Sequence, residues 1–220
     1  MAFGLALGLA GQAEAAVVLV NGSFETIGAS LGSGLFEATG WTNLSSLPIQ
    51  ASSAPSGFEA TSAAGVTGSR YLRLASDNPD PSNTGFIVQN LGTMAAGETY
   101  SISGTLLGGA SAVNLFSLTA RFASDSGLNP ATVYAEQVTA GLAAGAVVAG
   151  GLSLSYTAGA ADAGQNLYIW LRVAPSGLGT AVRGGVDNLT LQVTGVPEPG
   201  TFGMLGMGGL ALAVAALRRR

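Results

Sequence analysis

Tyr168, Trp170 and Arg172 alternate along one segment, so an extended chain would carry two aromatic rings and a guanidinium on one face. That grouping suits a sugar, because C–H faces stack on aromatic rings while flanking polar groups take the hydroxyls. Trp41 is a further candidate for such a platform. Large aromatics also fill cores, so Trp170 belongs to a packed layer if both faces of its strand are covered. Asp187 falls in phase with Leu189, Leu191 and Val193, which starts its carboxylate on the core-facing side. An inward carboxylate needs a partner, and the chain has no lysine to supply one. Pairing with Arg183 or another arginine, or a place at an exposed strand start, are the alternatives.

Catalytic groups are scarce. The chain has neither histidine nor cysteine, which removes the commonest general base, serine-type triads, disulfides and thiolate metal sites. Glu25, Glu37, Glu59 and Glu136 show no spacing that would place two carboxylates around one glycosidic bond. The expectation is a protein that is not an enzyme. Between residues 17 and 197 the eight cationic residues reduce to five once Arg218, Arg219 and Arg220 are set aside. The twelve acidic residues reduce to ten without Glu14 and Glu198. No basic patch exists for a phosphate backbone, so nucleic acid is not an expected partner.

These residues must be positioned by strands. Thr99–Leu107, Leu115–Phe122, Asn166–Val173 and Gly185–Val193 alternate apolar with polar residues, and shorter runs occur at 16–20, 71–75, 86–91, 134–138 and 152–156. Gly, Ser, Asn and Pro bound them, as expected of an all-β, antiparallel sandwich with one wet side. Ser45–Ser69 reads as long connections around one weak strand. Ala140–Gly151 reads as a loop, a short helix or a poor strand.

Both ends differ from this middle. Met1–Ala10 is apolar and Ala13 and Ala15 form a small-residue cleavage pattern, so residues 1–16 read as a signal-peptide helix. The stretch lacks a basic start, which an initiation site upstream of Met1 would restore. At the other end Val196, Pro197, Glu198 and Pro199 interrupt regular structure. An uncharged run then leads to Arg218, Arg219 and Arg220. Its segment 202–217 would make about 24 Å of transmembrane helix, shorter than the ~30 Å hydrocarbon core. The arginines favour a cytoplasmic C-terminus.

This tail resembles the PEP-CTERM sorting signal of exopolysaccharide-producing Gram-negative bacteria. The resemblance implies an exosortase as partner, cleavage near the Pro-Glu-Pro, and transfer from an inner-membrane precursor to the cell surface or extracellular matrix. Domains are therefore expected at 1–16 (signal), 17–195 (ectodomain) and 196–220 (sorting tail).

Within the ectodomain, Asn21-Gly22-Ser23-Phe24-Glu25, Gly40-Trp41, Tyr71-Leu72-Arg73-Leu74, Ile87-Val88-Gln89-Asn90-Leu91, Gly97-Glu98-Thr99-Tyr100 and Val186-Asp187-Asn188-Leu189 occur in that order. The series resembles galactose-binding-like jelly rolls, which include carbohydrate-binding modules of secreted glycosidases. The resemblance implies a structural Ca²⁺ where the first and last strands meet, with Glu25 and Asp187 as ligands and Ser23 adding a carbonyl. Such an ion takes six to eight oxygens, so carbonyls and water must complete the shell. The expected function is a surface-sorted structural or biofilm-matrix protein. A module recognising exopolysaccharide is the first alternative and a glycan-active hydrolase the second.

Overall fold

The computed structural model describes residues 16–32, 35–44, 50–53, 68, 70–76, 86–108, 117–127, 129–139, 141–143, 145–174 and 182–195. The signal segment up to residue 15 and the whole sorting tail, including Val196, Pro197, Glu198, Pro199 and Arg218–Arg220, lie outside them, as do both expected terminal helices. Among the described residues there is no helix, and none therefore long and apolar enough to cross a membrane.

The described chain is an antiparallel β-sandwich of twelve strands: β1 (Ile27–Gly32), β2 (Leu35–Ala38), β3 (Thr42–Asn43), β4 (Gln50–Ser53), β5 (Arg70–Ser76), β6 (Phe86–Thr93), β7 (Thr99–Gly108), β8 (Ser117–Ala123), β9 (Val133–Val138), β10 (Val147–Thr157), β11 (Asn166–Ala174) and β12 (Val182–Thr194). One sheet runs β1-β2-β4-β5-β12-β7-β10 and the other β3-β6-β11-β8-β9. Their inner faces meet in one core. Tyr100, Ile102 and Leu106 of β7 and Leu152 and Leu154 of β10 oppose Leu118, Ala120 and Phe122 of β8 and Leu167, Ile169, Leu171 and Val173 of β11. Alternation along each strand sends these side chains inward. The outer face of β7, β10 and β12 carries hydroxyls paired across strands, Thr99 with Thr157, Ser101 with Ser155 and Ser103 with Thr190.

One segment departs from the sequence expectation, and two others resolve within it. Residues 16–20 run extended beside β6 but are held largely by one side chain: Gln89, buried, accepts from the Val20 amide and donates to the Val20 and Gly40 carbonyls. The Val18 amide adds a bond to the Leu91 carbonyl. The stretch 140–151 supplies the first residues of β10, whose register slips between Val148 and Leu152. Gly150 there takes φ +66°, a conformation glycine adopts without a side-chain clash. The weak strand expected within 45–69 is β4, joining β2 to β5.

Candidate functional site

The first and last parts of the sandwich meet at one corner. Between Asp187 and Thr190 the pairing of β12 with β7 slips, and Asn188 takes φ 53°. Pairing with β5 ends at Val186–Leu72, so beyond that point one side of β12 is released from its neighbour. The opening loop fills the place, with the Leu189 amide donating to the Gly22 carbonyl at 2.9 Å. Asn21 and Phe24 of this loop also have positive φ, 55° and 57°. The Asn21 side chain holds the loop by donating to the Thr26 and Thr39 carbonyls and accepting from the Thr26 amide.

The bulge changes the phase on which the sequence reading of Asp187 relied. Asp187 pairs with Thr105, on the opposite face from the inward Val186–Leu106 pair, whereas Leu191 pairs with inward Ile102. Asp187 is therefore not in step with Leu189 and Leu191. It is nonetheless completely buried, and its Oδ1 accepts from the Asn188 amide. Glu25 lies on the surface, with Oε1 accepting from the Arg70 amide at the start of β5, 2.8 Å away. Val186, next to Asp187, pairs with Leu72, two residues along β5 from Arg70, so Glu25 and Asp187 attach to neighbouring strands near the end of the β5–β12 pairing. Ser23 is exposed between Gly22 and buried Phe24. Two carboxylates beside loop carbonyls are the hard oxygen donors that Ca²⁺ takes. Among the described residues no group of three or more acidic or histidine side chains converges, so carbonyls and water would carry most of such a shell.

The expected sugar platform is arranged differently. Trp170 is only 1% exposed and packs edge-on against Phe86, centroids 4.4 Å apart, with Val88 and Ala123 beside it. Its Nε1 donates to the Asp125 carbonyl at 3.0 Å. Arg121, paired with Glu136, sits over the ring at 6.0 Å. Trp170 thus fills a second packed layer on the outer face of its sheet and is not an open stacking surface. Tyr168 and Arg172 are half-buried on the same face, and Tyr168 receives a long bond from Asn90. Trp41 lies elsewhere, half-buried against Phe24 at 5.7 Å, where it props the opening loop.

Asp125 organises the loop over Trp170. Its carboxylate accepts from the Ala131 and Gly127 amides and the Ser124 hydroxyl. The bond from the Ala131 amide, supported by the other two, holds its pKa below the ordinary carboxylate value against the opposing effect of desolvation.

A further constellation joins the two sheets where β9 and β10 come together. Tyr134 and Tyr156 stack with centroids 4.8 Å apart and planes at 30°, both half-buried. The Tyr156 hydroxyl donates to Asp162 Oδ2 at 2.6 Å and the Tyr134 hydroxyl to Gln165 Oε1 at 3.0 Å. Asp162 Oδ2 also takes the Gly159 amide, and Gln165 Nε2 donates to the Ala161 carbonyl. Burial and the Asp162 carboxylate push the Tyr156 hydroxyl up to about 12, and burial followed by the charges of Asp162 and Asp125 raises Tyr134. Gln137 bridges the same strands through the Gly151 carbonyl and Ser153 amide. In the sequence, the only trace of this cluster is a tyrosine at the start of the run 134–138 and another at the end of 152–156, followed by an Ala/Gly-rich turn that carries Asp162 and Gln165.

Comparison with known proteins bears on the tail and the fold. No curated protein matches the chain. The sandwich is similar to a Stig cyclase, FisC, from Fischerella sp. TAU, crystallised with (3Z)-3-(1-methyl-2-pyrrolidinylidene)-3H-indole: 11% identity, 84% of this chain and 100% of that one, TM-score 0.62. A second cyclase from Fischerella sp. TAU gives 12% identity over 84% and 99%, at 0.50. A looser likeness is to the CBM22-1 xylan-binding domain of Paenibacillus barcinonensis Xyn10C, with 15% identity over 72% and 88%, at 0.45. At such identities the likeness is one of fold alone. Residues 195–220 match the PEP-CTERM protein-sorting motif.

Proposed function

We propose that this is an exported, non-catalytic protein of the cell surface or extracellular matrix, sorted and processed at its C-terminus by an exosortase. Before processing, segment 202–217 would hold the precursor in the inner membrane. The observation that carries this reading is the junction between domain and motif. Strand β12 lies between β5 and β7 and ends at Thr194, and the motif begins at residue 195. Cleavage near Pro197–Pro199 would leave every described strand in place. Deleting the exosortase gene of the host tests this: the protein should then stay in the membrane fraction at its precursor mass. Unchanged delivery to the surface would overturn it.

A structural Ca²⁺ at the opening-closing corner is part of the same proposal, with Asp187, Glu25 and the Ser23 carbonyl as protein ligands. The ion would supply no chemistry there, only a charge tie between the loop and β12. Recognition of exopolysaccharide is a second reading, favoured by the half-buried tyrosine pair between β9 and β10.

A further inference from the structure

We propose that Tyr134, Tyr156, Asp162 and Gln165 form a binding site for a neutral sugar residue, held through two adjacent hydroxyls. The proposal rests on the second reading above and names its site. An edge between two sheets can be sealed by aliphatic side chains alone. Here it is closed by two stacked phenols that stay partly exposed, with polar ends fixed to one turn, 158–165.

That turn has bonding capacity in hand. Asp162 Oδ2 already takes the Tyr156 hydroxyl and the Gly159 amide, while Oδ1 accepts nothing among the described residues. Gln165 Nε2 spends one hydrogen on the Ala161 carbonyl and keeps the other. The site therefore offers one charged acceptor and one amide donor three residues apart, beside aromatic carbon. A vicinal diol presents the complement, one hydroxyl donating to the carboxylate and its neighbour accepting from the amide, while ring C–H groups lie on the tyrosines. Because both phenols titrate well above neutral pH, they keep their protons and continue to hold Asp162 and Gln165 in place. The carboxylate also sets the class of ligand: the charged groups acting on the two phenols, Asp162 and Asp125, are both anionic. No arginine is among the charges acting on these phenols, and Arg121 is paired with Glu136 over Trp170. A uronic or phosphorylated sugar would be repelled, which leaves neutral glycans.

The test uses the full chain in a detergent without a sugar headgroup, on an array of neutral and uronic oligosaccharides. Titration calorimetry with the tightest-bound neutral oligosaccharide follows. Binding of a neutral glycan should weaken about tenfold or more in Asp162→Asn, as expected on losing a hydrogen bond to a charged group. Gln165→Ala, a change at an exposed position, should weaken it too, and covers the case in which Asp162→Asn fails to fold. Binding that persists undiminished in folded Asp162→Asn or Gln165→Ala, or that is lost only in Tyr168→Ala, would overturn this site and leave glycan recognition standing. Absence of any bound glycan on the array would overturn both.

Discussion

The Leu189 amide donates to the Gly22 carbonyl, joining the closing strand to the opening loop at the place where β12 parts from β5. The approach is so close that a Cβ on Gly22 would collide with the Leu189 carbonyl oxygen and crowd Leu19. Gly22→Ala should therefore destabilise the domain by about 1–3 kcal/mol, the usual cost of forcing extra volume into a packed site. Chemical denaturation of the variant checks this, and an unchanged midpoint would show that the loop is not clasped.

Removing Asp125 should loosen the cover of Trp170. Asp125→Ala leaves two loop amides without their acceptor, so a loss of about 1–3 kcal/mol is expected, less to the extent that water replaces the carboxylate. Tryptophan fluorescence should shift to the red as the Nε1 bond to the Asp125 carbonyl is lost. The pH dependence follows from the depressed pKa. The carboxylate's contribution is complete above the ordinary value of 3.8 and disappears as pH falls through the lower folded value. The wild type should therefore lose stability in acid over that interval more steeply than Asp125→Ala.

Tyr156 gives the opposite sign. Its proton is held more tightly in the folded state, so its contribution is complete below pH 10 and is lost as pH rises toward about 12. Alkaline unfolding of Tyr156→Phe should be less steep over that range than that of the wild type. Identical alkaline profiles would mean that the Tyr156–Asp162 bond does not contribute.

If Ca²⁺ ties Asp187 to the opening loop, stability should depend on free metal. At about 100 times Kd the gain is about 2.7 kcal/mol. Chelation should lower the melting temperature of the metal-loaded protein and millimolar Ca²⁺ should restore it, whereas Asp187→Ala should respond to neither. A melting temperature indifferent to chelator would remove the ion while leaving the sandwich intact.

Much of the fold was legible because its central strands sort side chains by alternation. Tyr100-Ile102-Leu106 and Leu167-Ile169-Leu171-Val173 are read off the chain and found in the core. The first half of β10 was not legible, since its alanines and glycines carry no alternation and its register breaks near Gly150. Asp187 shows why periodicity alone misplaces a side chain: the irregularity at Asn188 shifts the phase of all that precedes it. Trp170 shows that a polar-looking face can be a second packed layer when a loop such as that around Asp125 covers it. The Tyr134–Tyr156 pair joins strands of different sheets, a proximity that no local pattern encodes.

Sorting of the intact domain is the central claim, and mass spectrometry of material released from the cell surface tests it most directly. Peptides should cover the sandwich through β12 to the region of Pro197–Pro199 and stop there, with nothing from the apolar run or the arginines. Recovery of a surface-exposed chain that still ends in Arg220 would contradict it.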